Sequence, residues 1–504
     1  MSWTLPARRR QSQTGANTFL FLNTPGTLAG CGWDDAAVPM LWRYNLHYFD
    51  DLNAEGAAAR AHWHGYLIQR WMAENPPAQG VGWDPYPTSL RIVNWIKWAR
   101  AGNTLPSAAL DSLAIQTRWV QRRLERHLLG NHLFANAKAL VFAGCFFAGE
   151  EASRWLQQGL DILTREIPEQ ILSDGGHFEL SPMYHALALE DMLDLVNILR
   201  GSGVDIPASW HDIIDAMRAW LRTMSHPDGE ISFFNDAAIG IAPAPAELER
   251  YASDLGFGQL SSPSGSLTWL QDSGYIRLED EHAVVLIDVA RIGPDYIPGH
   301  AHADTLTFEM SVHGQRAIVN SGTSEYGSDP ERLRQRGTTA HNTVVIDGEN
   351  SSEVWSGFRV ARRAYPQDVS VTQDGETWVI TGAHNGYTRL AGRPIHHRTW
   401  RFSAGHLTVQ DLISGHYRHA AAAFHFHPQT TANLMACNSA GSLRYDQAKT
   451  DASLRQPLYF QLSGTRGRIE PSTWHPEFGK TFPCQKLISD VANHQSQIHF
   501  SWIE

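Results

Sequence analysis

Apolar residues recur at two different spacings along this chain, and the change of spacing divides it. From about residue 44 to 240 the spacing is helical. Within 181–200, Leu189, Met192, Leu193, Val196 and Leu199 fall on one stripe, as side chains on a single helix face do. Ser181 precedes the stripe as an N-cap, and Pro182 takes the first helical position. Residues 107–129, 131–149, 151–166 and 208–224 read the same way, separated by breakers such as Leu129-Gly130 and Gly201-Ser202-Gly203. Helices joined by short turns predict antiparallel helical hairpins, and with no fixed-length repeat a toroid is preferred to a regular solenoid.

After about residue 262 the period drops to two. Leu306, Phe308, Met310 and Val312 alternate with polar neighbours, and His313-Gly314 turns into a second strand at 315–320. Further strands are predicted at 283–289, 342–347, 377–381, 398–402, 406–411, 423–427 and 497–502. Many short strands with little helix predict an antiparallel β-sandwich. Pro243, Pro245, Gly256, Gly258, Pro263 and Gly265 put the joint within 241–266. The expected chain is therefore an α+β multidomain protein, helical over 1–255 and a β-sandwich over 256–504.

Composition narrows the function. Hydrophobic residues are 42% and charged ones 18% of 504 residues, enough apolar surface for a large core. A net charge of −11 argues against a nucleic-acid partner, since phosphate neutralisation favours a basic surface. A polyanion would need a locally basic cleft. The chain carries 18 Trp and 25 His, rings suited to packing or sugar stacking and to proton transfer near neutral pH. Cys31, Cys145, Cys437 and Cys484 form no CxxC pair, which excludes a zinc ribbon or thioredoxin-type dithiol. The Arg-rich start is followed only by Phe19 to Leu22 as an apolar run, too short for a signal peptide or membrane span. A cytoplasmic location is expected as the chain is written, or a periplasmic one if its start is misassigned.

Four segments carry candidate chemistry. In 83–98 the aromatics and Arg91 either pack a helix start or line a carbohydrate cleft. In 130–140 Asn131 and His132 follow a glycine break, so Asn131 either caps a helix or presents a group to an anionic ligand. In 174–185 a Gly-Gly loop gathers His177, Glu179, Tyr184 and His185 as acid/base candidates. In 298–347 His300, His302 and Asp304 lead into one strand and His341 into another, a set that suits either a divalent metal or a proton relay.

The stretches RYNLHYFDDL (43–52), DPYPTSLRIVNWIKW (84–98), GNHLFANAKALVFAG (130–144), DGGHFELSPMYH (174–185), GHAHADTLTFEM (299–310) and TTAHNTVVIDG (338–348) together resemble the heparinase II/III-like polysaccharide lyases. The resemblance implies an incomplete (α/α) toroid followed by an antiparallel β-sandwich, and β-elimination at a uronic acid. It implies an anionic polysaccharide substrate of glycosaminoglycan, alginate or bacterial exopolysaccharide type. Abstraction of the C5 proton puts a second negative charge on the uronate, so its carboxylate must meet hydrogen-bond donors. By family position Asn131 takes that role, with His132 beside it as base for an anti elimination. Tyr184 matches the catalytic tyrosine, as acid and, in a syn elimination, also as base.

The resemblance also makes His302 a catalytic candidate. It pairs His302 and His341 as metal or cleft residues and adds Tyr326 as a second cleft tyrosine; from their own segments Arg91, His177 and His300 are candidate substrate contacts. A bound zinc, calcium or manganese ion is put in question by Asn320, which stands where metal-binding relatives carry Asp. Two other readings stay open. One is a non-catalytic glycan-binding or assembly protein of bacterial exopolysaccharide or lipopolysaccharide production. The other is a glycoside hydrolase using Asp174 and Glu179, which would need facing carboxylates.

Overall fold

The computed structural model describes residues 3–261, 265–435, 438–445 and 456–503; Pro263 and Cys437 lie outside the described residues. Helical hairpins do fill the first half. Their main members are Pro85–Arg100, Ser107–Arg122, Gly130–Phe146, Glu150–Gln170, Pro182–Ser202 and Ser209–Thr223. Glycines set the closest approach. A Cβ on Gly159 would stand 2.8 Å from the Ala137 carbonyl oxygen, and one on Gly144 2.5 Å from the Leu156 nitrogen. Helices Gly130–Phe146 and Glu150–Gln170 therefore touch backbone to backbone, which only residues without a side chain permit. The tryptophans serve this packing: Trp71, Trp95, Trp155 and Trp220 are fully buried.

Helix Pro182–Ser202 starts as its sequence dictates. The Ser181 hydroxyl accepts the Tyr184 N–H at 3.2 Å, the bond of an N-cap. Tyr184 thereby sits in the first turn.

The second half is built mainly of antiparallel sheets. Five strands run in order from Leu267–Leu270 through Tyr275–Glu279, Ala283–Asp288 and Phe308–Val312 to Gln315–Ile318. An eight-stranded sheet is centred on Ile395–Ser403, His406–Ser414 and Gln495–Ser501, and a four-stranded sheet contains Ala420–His425 and Val344–Ile346. Ile287, Phe308 and Met310 from the first sheet, Trp400, Val409 and Phe500 from the second, and Phe424 and Leu487 from the third share one apolar core. The fold is a helical toroid followed by a β-sandwich.

Chain order and packing part company in two places. The described residues form two compact units, one of 1–175, 186–218 and 240–260, the other of 176–185, 219–239 and 261–504. The stretch 176–185, with His177 and Tyr184, and the segment around Asn235-Asp236 thus pack with the sheets. Strand Phe308–Val312 departs from alternation for this reason. Both its faces are buried, and Glu309 meets His226 of that segment at 2.9 Å. The Pro- and Gly-rich stretch expected to be a joint holds a helix, Pro245–Asp254, because Pro245 occupies the first turn, where a missing N–H costs nothing. Helix Pro330–Arg336, capped by Asp329, interrupts the sheet half without an apolar period to announce it. Among the described residues, no helix is long and apolar enough to cross a membrane.

Candidate active site

The helical unit presents one group of polar residues around the start of helix Gly130–Phe146. Leu129 and Gly130 both hold left-handed φ values, 59° and 51°, so the chain turns sharply into the helix. A leucine there is strained, as residues at working sites often are. Asn131 is not the cap, which falls on Leu129 and offers no side-chain bond. Its carboxamide hydrogen-bonds the Tyr86 hydroxyl instead. The Tyr86 ring lies against His132, centroids 4.6 Å apart, and Tyr48 closes edge-on to Tyr86 at 6.0 Å. Burial, with the Asp191 carboxylate nearby, pushes the Tyr86 hydroxyl above the usual phenol range. His132 Nδ1 is 3.1 Å from Glu125 Oε1.

A second group gathers in the sheet unit. The Tyr184 and Tyr326 hydroxyl oxygens are 2.9 Å apart. His300 stacks on Tyr184 with centroids 3.9 Å apart and planes 19° from parallel, and its Nδ1 hydrogen-bonds Glu179. Arg332 stands 5.0 Å above the Tyr326 ring and grips Asp236 with both terminal nitrogens, Nη2 to Oδ2 at 2.7 Å. His302 Nε2 donates to Asp236 Oδ1 at 2.8 Å, and its Nδ1 lies 3.3 Å from His341 Nε2. The backbone is fixed by Asn235, whose Oδ1 accepts the His302 N–H and whose Nδ2 donates to the Leu180 carbonyl. Asn235 takes a left-handed φ of 55°, which asparagine tolerates.

Electrostatics sort these groups by charge. Burial raises both phenols well above their ordinary range; Tyr326 and Glu179 add to the effect on Tyr184, and Asp236 adds to it on Tyr326. Both stay protonated at neutral pH. Burial likewise opposes the charge of Asp236, but the Arg332 guanidinium and the His302 hydrogen bond outweigh it and hold the carboxyl far below its usual range. Burial lowers His302 to about 4 against the pull of Asp236, and burial with the neighbouring His302 lowers His341 well below its ordinary range. Both imidazoles are therefore neutral at physiological pH.

Two family patterns match the chain over most of its length, Heparinase II/III N-terminus on residues 64–252 and Heparinase II/III-like, C-terminal on residues 262–503. The chain belongs to the heparinase II/III family. It is similar to a heparin-sulfate lyase of Bacteroides stercoris, 29% identical over 249 residues, which cover 45% of this chain and 37% of that protein. The chain thus spans well under half the length of this curated relative. Its fold is similar to the solved heparan sulfate lyase of Pedobacter heparinus, with TM-score 0.64, 20% identity and coverage of 93% of this chain and 78% of that one. The solved Heparinase III matches with TM-score 0.72 and 17% identity over 90% and 76%.

In this heparinase II/III family protein, two residues expected at the substrate are elsewhere occupied. Arg91 is fully buried, donating to Gln116 Oε1 at 2.9 Å and lying 3.8 Å above the Trp71 ring. It is a core residue with no face open to a ligand. His177 is 2% exposed, packs edge-on to Phe178 and donates its backbone N–H to His185 Nδ1. It shapes the Gly-Gly loop from within.

His302 and His341, the candidate metal residues, make a poor set for a tightly held divalent cation. Among the described residues, no three His, Cys, Asp or Glu side chains converge on a common point. Two imidazoles meet, but the third position is Asn320, 3.2 Å from His341 Nδ1. Its Oδ1 already accepts the Thr307 hydroxyl at 2.8 Å, and its Nδ2 donates to the Phe233 carbonyl. A neutral, engaged carboxamide is a weak substitute for carboxylate. Sequence reasoning passed over Asp236, Arg332, Tyr86 and Glu125. Asn235-Asp236, a polar pair directly after Phe233-Phe234, was the available signal for the first of them.

Proposed function

We propose that this protein is a polysaccharide lyase that cleaves a uronate-containing glycosaminoglycan by β-elimination, as the names of its relatives suggest for them. The observation that carries the reading is the Tyr184–Tyr326 pair: two hydroxyls 2.9 Å apart, with Tyr184 held neutral by burial, so that a proton is in place on the phenol for a leaving oxygen. In the proposed step the Asn131 amide donates to the uronate carboxylate, where charge accumulates. His132 takes the C5 proton through its Nε2. The electron pair forms the C4–C5 double bond as the C4–O bond breaks, and Tyr184 protonates the departing glycosidic oxygen. Tyr326 shares the charge left on Tyr184 through their hydrogen bond until water reprotonates the pair and takes the C5 proton from His132, while His300, tied to Glu179, holds the Tyr184 ring from its flat face.

The hydrolase reading has less support, because Glu179, one of the two carboxylates it needs, is 3% exposed and holds His300 through Oε2. Product mass decides between the two. Elimination yields an unsaturated fragment lighter by one water than the hydrolytic fragment; a product of hydrolytic mass would overturn the proposal.

A further inference from the structure

We propose that Glu125 is a positioning residue that fixes the tautomer of His132, so that Nε2 carries the lone pair needed to accept a proton. This rests on the lyase reading above, but its geometry stands alone. His132 and Asn136 are four residues apart on helix Gly130–Phe146 and so share one face. Between them they occupy both oxygens of Glu125: His132 Nδ1 is 3.1 Å from Oε1, and Asn136 Nδ2 donates to Oε2 at 3.0 Å. Asn136 cannot turn over, because its Oδ1 accepts the Glu125 backbone N–H at 2.8 Å and its Nδ2 also donates to the Ser89 hydroxyl. The carboxylate is 6% exposed, and His132 is its one ion-pair partner among the described residues. The turn that places it is short: the Leu128 and Leu129 N–H groups both donate to the Glu125 carbonyl just before the left-handed pair at 129 and 130.

An ionised carboxylate only accepts, so His132 must carry its proton on Nδ1. Nε2 is then an acceptor, and it has no hydrogen-bond partner among the described residues. The Tyr86 ring covers one face of the imidazole and holds its direction. When His132 takes a proton, the imidazolium forms against a buried negative charge already in place, the arrangement by which a buried carboxylate supports a histidine base.

The same bonds dictate the test. In Glu125→Gln, Asn136 still presents Nδ2, so the glutamine oxygen must face Asn136 and its amide N–H must face His132. That inverts the tautomer and puts the proton on Nε2. Ring-nitrogen NMR of 15N-histidine-labelled full-length protein, with His132→Gln to assign the signal, should show an Nδ1–H imidazole in the wild type and Nε2–H in Glu125→Gln. The variant should lose about 100-fold or more in kcat with KM within about threefold. Glu125→Gln with Asn136→Asp turns the amide round, restores an acceptor toward His132, and should recover the wild-type tautomer and most of the rate. A wild-type Nε2–H tautomer, or one unchanged by Glu125→Gln, overturns the proposal; so does a tautomer that inverts without loss of kcat. Should Glu125→Gln not fold, the wild-type spectrum still decides. An enzyme inactive on every uronate polymer would count against the lyase reading and leave the tautomer result standing.

Discussion

The phenol oxygens of Tyr184 and Tyr326 sit 2.9 Å apart although 142 residues separate them in the chain. Tyr184 is placed by the first turn of a helix, and Tyr326 by the loop after strand Gln315–Ile318. Burial keeps both neutral, so the pair can pass one proton along a hydrogen bond. Tyr184→Phe should lower kcat by about 10²–10⁴ while leaving polymer binding nearly unchanged, since it removes a proton donor and little contact area. Tyr326→Phe leaves Tyr184 its proton and should cost less. Steady-state kinetics with a separate binding assay checks both; a larger loss in Tyr326→Phe than in Tyr184→Phe would make Tyr326 the donor.

Asn131→Ala should act on the rate rather than on affinity. Its amide is proposed to meet charge that grows only as the C5 proton leaves, and loss of one such donor costs about 10²–10³ in kcat. A rise in KM at constant kcat would reduce Asn131 to a ground-state contact.

The Arg332–Asp236 pair is fully buried, and Asp236 also receives His302. Arg332→Met leaves that carboxylate charged and poorly compensated, a change that typically costs about 3–5 kcal/mol. Adding Asp236→Asn removes the stranded charge and should recover part of the loss. Urea unfolding of the single and double variants measures this. Additive losses would show that the two residues do not depend on each other.

Asp304 gives the fold a pH dependence of definite sign. Burial, with the nearby Asp236 charge, raises its carboxyl to about 6, and Asp288 is raised by burial and by Asp304. The folded state therefore binds a proton more tightly than the unfolded chain does. The resulting stabilisation is complete below the ordinary carboxyl pKa and is lost as pH rises through about 6. Asp304→Asn should flatten the fall in unfolding free energy over that interval. A slope unchanged in the variant would assign it to another group.

Much of this was legible in the residues. The helical and alternating periods marked the two halves, and Ser181-Pro182 marked the start of the helix that carries Tyr184. What escaped was set by long-range packing. Alternation cannot show that strand Phe308–Val312 is covered on both faces, since the cover comes from residues 219–239. Arg91 looked like a ligand contact because arginine is seldom fully buried; Gln116, the Thr88 hydroxyl and the His47 carbonyl take up its donors, and only the fold brings them there. Asp236 and Arg332 lie 96 residues apart, and no spacing rule joins them. Glu125 and His132 are near in sequence, yet the turn between them reads as an ordinary loop.

The central claim is elimination with Tyr184 as its acid. The most direct measurement is ultraviolet absorbance of the purified protein incubated with a panel of uronate polysaccharides, heparan-type glycosaminoglycans among them, beside the Tyr184→Phe variant. A rise from the C4–C5 double bond on at least one polymer, absent in the variant, is the predicted result. A rise that persists in Tyr184→Phe would contradict the role of that residue, and cleavage without any rise would contradict elimination itself.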